Sequence, residues 1–192
     1  SPSRGLGDVY KRQAIPYIFF YWSWGFNYSR ATPELIKYTD NELIEVTEYY
    51  LNEVNNLQHS ITNNKNEPVK VEDKFSELRK KTVNSLSATT KQFQIKNLTN
   101  HPIKISLFST LLSYMGFSGY INPFTLEAHI NKNIPKISYP FTMSHEVAHQ
   151  YGISFENEAN FFGLKNTLNS NDKVINYSGK LMALQYLLYD LR

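Results

Sequence analysis

The chain has 192 residues, of which 41% are hydrophobic and 15% aromatic, and its formal net charge is +3. This length supports one folded domain with its own core, and so small a charge does not indicate a nucleic-acid partner. The only run of basic residues, Arg79-Lys80-Lys81, is interpreted as the solvent-exposed face of a helix. Because the chain has no cysteine, disulfides and thiolate metal sites are excluded. The absence of cysteine is compatible with either side of a membrane, so it does not indicate the cellular compartment.

The first 28 residues are set apart from the rest. Residues 1–13 (SPSRGLGDVYKRQ) lack an initiator Met and are interpreted as adapter sequence outside the fold. Residues 14–28 are apolar and aromatic but shorter than the about 20 residues that span a bilayer. Because Trp22 and Trp24 suit a membrane interface, we interpret this segment as the end of a truncated transmembrane helix, with a buried core element as the alternative.

Residues 29–192 are predicted to form one mainly helical domain. Apolar residues at helical spacing predict helices over 41–58, with Asp40 as a cap, and over 71–93, 105–115 and 174–192. The last of these has no Gly or Pro stop signal, which indicates truncation at the C-terminus.

Residues 120–131 alternate between apolar and polar side chains, the period of a half-buried strand. Phe124, Leu126, Ala128 and Ile130 are expected to face inward, and His129 is expected at the surface. The open edge of such a strand can bind an extended peptide by strand addition, although an ordinary hairpin strand has the same pattern.

A His-Glu-x-x-His motif is formed by His145, Glu146 and His149. Ser138 and Gly152 give the start and stop signals of a short helix around it. Positions i and i+4 share one helical face, so both imidazoles can bind the same Zn²⁺. A glutamate beside the metal suits a general base that takes a proton from a zinc-activated water.

The segment after this helix is expected to supply a third ligand. Gly152 can adopt positive φ and fold the chain back onto the metal face. Phe155 occupies the place of the third histidine of a metzincin, so that class is excluded.

Two carboxylates compete for the third position. If a new helix begins near Phe155, Glu156 shares a face with Asn160 and Gly163, whereas Glu158 points away. Gly163 would then let this helix approach the histidine helix closely. We therefore expect Glu156 to be the ligand and Glu158 to be a solvated or supporting carboxylate, with the reverse assignment as the alternative.

Two tyrosines, Tyr151 and Tyr177, are candidates for oxyanion donors on their chemistry alone. No feature of the sequence positions either of them.

Several segments resemble those of a bacterial family of membrane-anchored, gluzincin-like proteins known only as a domain of unknown function. The resemblance covers about residue 15 to the end and is carried by WGFNYSR (24–30), GYINPFTLEA (119–128), PFT (140–142), SHEVAHQ (144–150), ENEANF (156–161) and YSG (177–179). It implies a zinc-peptidase-like fold on a membrane anchor. It also implies that Asn160, four residues after Glu156, supports a zinc-binding histidine.

Together these features predict a mainly helical α+β domain of the zincin type with a small edge sheet. The predicted function is a membrane-anchored zinc metallopeptidase that acts on peptides or proteins on the extracytoplasmic side. His145, His149 and Glu156 would hold zinc, and Glu146 would be the catalytic base. The alternative is a non-catalytic zincin-fold module that binds metal or senses a ligand and has a closed coordination sphere.

Overall fold

The structure is a computed structural model that describes residues 37–96 and 98–192. The segments interpreted as adapter (1–13) and as the end of a membrane helix (14–28) lie outside the described residues. Within the described ranges, no helix combines the length and apolarity needed to cross a membrane.

The described chain is mainly helical and carries one small sheet, which confirms the predicted α+β class at this level. Its elements are α1 (Asp40–Thr62), α2 (Phe75–Asn84), α3 (Leu86–Gln92), β1 (Ile103–Ile105), α4 (Ser109–Met115), β2 (Gly119–Ile121), β3 (Ala128–Ile130), a 3-10 turn (Lys136–Ser138), α5 (Tyr139–Gln150), α6 (Glu156–Leu168) and α7 (Lys173–Asp190).

The predicted strand over 120–131 is wrong in its extent, because the chain turns in the middle of it. The side chain of Asn122 accepts a hydrogen bond from the Phe124 amide, and Leu126 adopts a positive φ of 56°. Phe124 and Leu126 are therefore exposed in the turn, whereas Ala128 and Ile130 are buried as expected. Two short strands, β2 and β3, replace the single long one.

The sheet has the order β1-β3-β2, so β3 is central and β2 is an edge strand. β3 pairs with β1 in parallel and with β2 in antiparallel orientation. The Asn131 amide donates to the Ser118 carbonyl, and the Asn122 amide donates to the Glu127 carbonyl. Because such bonds alternate along an antiparallel pair, the backbone groups of Gly119 and Ile121 point away from β3, along the outer edge of β2.

Two predicted helices also differ from the structure. The helix over 71–93 is divided into α2 and α3 at Ser85, where Asn84 and Ser85 are both weak helix formers. The helix over 105–115 begins only at Ser109, because Ile105 belongs to β1 and pairs with Ile130. In α1, Thr39 rather than Asp40 is the N-cap and forms a capping box with Glu42.

Helix α5 lies at the centre of the fold and is buried along most of its length. It packs against α2, α6, α7 and the sheet. The main core around it is formed by large apolar side chains, including Leu78, Leu86, Ile103, Ile130, Met143, Val147, Phe162 and Ile175. The face of α5 that carries the histidines is therefore held in place from several sides.

Two glycines allow α5, α6 and α7 to approach closely. A Cβ on Gly163 of α6 would lie 3.3 Å from the His145 amide nitrogen and 3.3 Å from Phe141 Cε2. A Cβ on Gly179 of α7 would lie 2.3 Å from Thr167 Oγ1. The predicted close approach at Gly163 is confirmed.

Candidate metal centre

The turn between α5 and α6 forms as the sequence predicts. Gly152 has a φ of 81°, a conformation that residues with a side chain rarely adopt. The Ile153 amide donates to the Ala148 carbonyl at 3.1 Å, which closes the end of α5. Helix α6 then begins at Glu156, directly after Phe155, and its first turn lies against the histidine face of α5.

The two histidines and Glu156 meet at one point. His145 Nε2 lies 3.1 Å from Glu156 Oε2, and His149 Nε2 lies 3.5 Å from Glu156 Oε1. The two Nε2 atoms are 3.2 Å apart. Both imidazoles are largely buried, whereas most of the Glu156 side chain is exposed. The structure thus brings together the three residues that the sequence analysis selected.

These spacings match those of a tetrahedral zinc site. With zinc–ligand bonds of 2.0 to 2.2 Å, neighbouring ligands of a tetrahedron are separated by about 3.4 Å. The observed separations of 3.1, 3.2 and 3.5 Å lie around this value. Two imidazole nitrogens with one carboxylate oxygen are also a donor set that zinc accepts. His145, His149 and Glu156 could therefore hold this ion.

The tautomer of His149 follows from its backbone contact. Its Nδ1 lies 2.7 Å from the carbonyl oxygen of Ile153, which can only accept a hydrogen bond. Nδ1 must therefore carry the proton and donate it, so a neutral ring presents the lone pair of Nε2 to His145 and Glu156. Burial lowers the pKa of His149, which favours this neutral form.

His145 experiences a negative electrostatic environment. Burial would by itself lower the pKa of its ring, but the hydrogen bond to Glu156 and the charges of Glu146 and Glu156 raise that pKa above its usual value. The side chain of Asn160, as an acceptor for the protonated ring, contributes in the same direction. Since this environment stabilises positive charge on a buried ring, it also favours a bound cation.

Glu146 lies beside this cluster on α5 and is only 4% exposed. Burial raises its pKa to about 7, and the charge of Glu156 adds to this increase while His145 opposes it. A Cβ placed on Gly119 would lie 2.8 Å from Glu146 Oε1. The carboxyl group therefore lies between the histidine cluster and the edge strand β2, with a pKa in the range that suits proton transfer near neutral pH.

The alternative ligand Glu158 is buried within the fold. It is 3% exposed, and among the described residues the group that could hold a metal contains Glu156 instead. The interpretation of Glu158 as a solvated carboxylate is therefore wrong. His129 is not a surface residue either, because it stacks on Tyr120 at 4.9 Å and both of its ring nitrogens are buried.

Neither tyrosine proposed from the sequence is directed to the cluster. The Tyr151 hydroxyl lies 3.2 Å from His101 Nε2, and its ring packs against Phe162. Tyr177 is buried in a separate cluster with Val54 and Leu184, between α1 and α7.

A different tyrosine lies near the cluster, and the sequence analysis missed it. The ring of Tyr186 on α7 packs edge-on against Phe141 at 6.4 Å, and Phe141 in turn lies 6.3 Å from the His145 ring. Burial raises the pKa of Tyr186, and the negative charge of Glu156 raises it further. Tyr186 is thirty residues from Glu156 in sequence, so only the packing of α7 across α5 and α6 brings them together.

A family model described as "Protein of unknown function (DUF3810)" matches residues 3–192. The chain belongs to this family. The DUF3810 match includes all the residues of the cluster and agrees with the resemblance to a domain of unknown function. No curated protein and no solved structure matches the chain significantly.

Proposed function

We propose that this DUF3810 chain is a zinc-dependent metallopeptidase with a zincin-like fold. The observation that carries the proposal is the convergence of His145, His149 and Glu156 at 3.1 to 3.5 Å, with the buried Glu146 beside them. Zinc bound there would lower the pKa of a water molecule and polarise the scissile carbonyl. A purely structural zinc site would not need a buried carboxylate next to its ligands, which favours an enzyme over a binding module.

The residues of the chain supply the proton transfers and the positioning. Glu146 accepts a proton from the attacking water and delivers it to the leaving amine. The Nδ1–H of His149 donates to the Ile153 carbonyl, and this bond orients the ring. The family resemblance suggests a supporting role for Asn160 toward His145, whose Nδ1 is buried and has no hydrogen-bond partner in the structure. The His149 contact directs the Nε2 atom of that ring to the position at which the metal would bind.

The substrate would bind along the outer edge of β2. The backbone groups of Gly119 and Ile121 point along that edge, and Gly119 also faces Glu146. An extended peptide can pair with such an edge by strand addition. Because Gly119 has no side chain, a peptide bond of the substrate could reach the carboxylate of Glu146. This role, first expected for a single strand over 120–131, is proposed for β2 because β3 is paired on both sides.

The function is tested by digestion of a peptide library with the zinc-loaded chain, read by mass spectrometry. We expect cleavage that stops when a chelator removes zinc and returns when zinc is added. Absence of zinc-dependent cleavage across a broad library would favour the alternative, a metal-binding or ligand-sensing module.

Tyr186 is proposed as a hydroxyl donor to the oxyanion that forms during hydrolysis. Replacement by Phe removes the hydroxyl and keeps the ring against Phe141. We expect Tyr186→Phe to lower kcat by roughly 10- to 100-fold, the value of one hydrogen bond to a charged group, with zinc content and KM little changed. Steady-state kinetics would measure this, and Tyr189→Phe, a change at an exposed tyrosine of the same helix, is the control. Equal rates in the two variants would remove Tyr186 from the mechanism.

We further propose that the domain is anchored to the bacterial membrane and lies on the extracytoplasmic side. The support is the apolar, aromatic segment over 14–28 together with the family resemblance. Because the chain has no cysteine, single cysteines at Asn63 and Asn171 can be labelled in intact cells, and the label on the purified chain reports only the introduced site. We expect an impermeant thiol reagent to label both sites. If it labels them only after lysis, the domain lies in the cytoplasm.

A further inference from the structure

Helix α4 is exposed along most of its length, and of its residues only Ser109 and Leu112 are buried. The Ser109 hydroxyl donates to the Ser106 carbonyl and accepts from the Lys132 amide. The exposed Ser113 accepts a hydrogen bond from the side-chain amide of Asn131. Small polar side chains thus attach this helix to the end of the sheet.

Bulky apolar residues on α4 and just before it are exposed. Leu107 is 96% exposed and Tyr114 is 87% exposed. We call this surface the α4 face; it comprises Leu107, Phe108, Leu111, Tyr114 and Met115. Leu111 and Tyr114 are three residues apart on α4 and so share one side of it, and Leu107 lies in the turn that precedes the helix. In water such a surface is unfavourable, and large apolar patches on a protein mark interaction sites.

The charge pattern indicates the chemistry of the partner. Residues 105–126 contain no Asp, Glu, Lys, Arg or His, although 19% of the whole chain is Asp, Glu, Lys or Arg. Lys132 and Lys136 lie a few residues beyond this stretch and are exposed, whereas Lys104 at its start is paired with Glu127 at its end. The Lys132 amide bonds directly to Ser109, so Lys132 lies beside α4. An uncharged apolar centre with a basic margin complements a bilayer whose headgroups are anionic.

The exposed apolar residues of α1 lack this pattern. Ile44, Tyr49 and Leu51 on α1 are about half exposed, but acidic residues at 42, 45, 48 and 53 alternate with them. The negative charges of that surface would be repelled by an anionic membrane. The α1 surface therefore serves as an internal comparison.

We propose that the α4 face is a membrane-contact surface that inserts into the interface of a bilayer containing anionic lipid. Aromatic and aliphatic side chains of such a surface reach about 5–10 Å into the boundary between headgroups and acyl chains. Lys132 and Lys136 bind the headgroups. This contact is separate from any anchor that precedes the domain and fixes which side of the domain faces the lipid.

The full chain can be tested by fluorescence, since it contains no native cysteine. Leu107→Cys and Leu111→Cys report on the α4 face, and Leu51→Cys reports on α1; each carries a polarity-sensitive fluorophore. All three positions are exposed, so the substitutions leave the core intact. Each labelled chain is mixed with vesicles of phosphatidylcholine and phosphatidylglycerol, with bromine atoms placed at known depths of the acyl chains.

We expect the fluorophores at positions 107 and 111 to show blue-shifted emission when vesicles are added. Bromines at shallow depth should quench them most strongly. This quenching should be about twofold greater than the quenching at position 51. Phosphatidylcholine alone should quench less, and equal quenching would contradict the anionic part of the proposal. An anchor upstream of residue 37 is common to all three labelled chains, so it cannot produce the difference. Equal quenching at positions 51 and 111 would overturn the proposal.

The same fluorescence measurement distinguishes two other ways in which the α4 face could be covered. Blue-shifted emission at position 111 without vesicles, independent of protein concentration, would mean that another part of the same chain covers the surface. A shift that increases with protein concentration would mean that a second copy covers it. Either result would overturn the membrane contact, and neither depends on zinc or on peptide cleavage.

Discussion

Glu146→Gln is expected to abolish most peptide hydrolysis while leaving zinc binding and the fold intact. The amide keeps the size of the carboxylate but cannot accept a proton from the attacking water. The expected loss is about 10² to 10⁴ in kcat, the usual contribution of a positioned general base. Burial raises the pKa of Glu146 to about 7, so the site disfavours the charged carboxylate relative to water. The substitution should therefore cost little stability.

The measurement is peptide cleavage by the wild-type and variant chains at equal zinc content, with circular dichroism to compare their folds. Glu127→Gln is the matched control, since Glu127 is a carboxylate close to the same sheet but is paired with Lys104. The control should cleave at the wild-type rate. If Glu146→Gln also retains that rate, Glu146 is not the general base.

Glu156→Gln is expected to release zinc. In folded zinc peptides the metal contributes about 10–16 kcal/mol through four ligands, so the loss of one ligand corresponds to a weakening on the order of a hundredfold or more. The carboxylate of Glu156 also supplies the negative charge that faces His145 and His149, and an amide would remove it. Titration with zinc against a competing chelator would measure the change in Kd.

The matched variant is Glu158→Gln, which makes the same chemical change two residues away on α6. Glu158 is buried and outside the cluster, so we expect its variant to bind zinc as the wild type does. Circular dichroism identifies any loss of fold in either variant. Retained zinc in Glu156→Gln together with lost zinc in Glu158→Gln would reverse the assignment of the third ligand.

The cluster could be predicted from the sequence because its determinants are local. His145 and His149 are one helical turn apart, Gly152 permits the reversal, and Glu156 follows four residues later. Helical geometry and a single left-handed residue are sufficient to bring these side chains together.

The features that the sequence did not reveal depend on distant contacts. β1 is a three-residue strand that exists only because β3, twenty-five residues later, pairs with it. Tyr186 reaches the cluster only through the packing of α7. The turn at Asn122-Pro123 was a missed local signal, because this dipeptide commonly begins a turn and should have divided the strand over 120–131.

Gly163 allows α6 to lie close to α5, and this distance sets the spacing of the proposed metal ligands. It lies two turns after Glu156 on α6, and its missing side chain lets that helix rest against the His145 backbone. A larger residue at this position would move α6 outward by a few tenths of an ångström and carry the Glu156 carboxylate with it. The triangle of ligand atoms would then widen and fit an ion of larger radius better than zinc. If the cluster holds zinc as proposed, the ion selectivity of this chain would therefore depend on a residue that has no ligand atom.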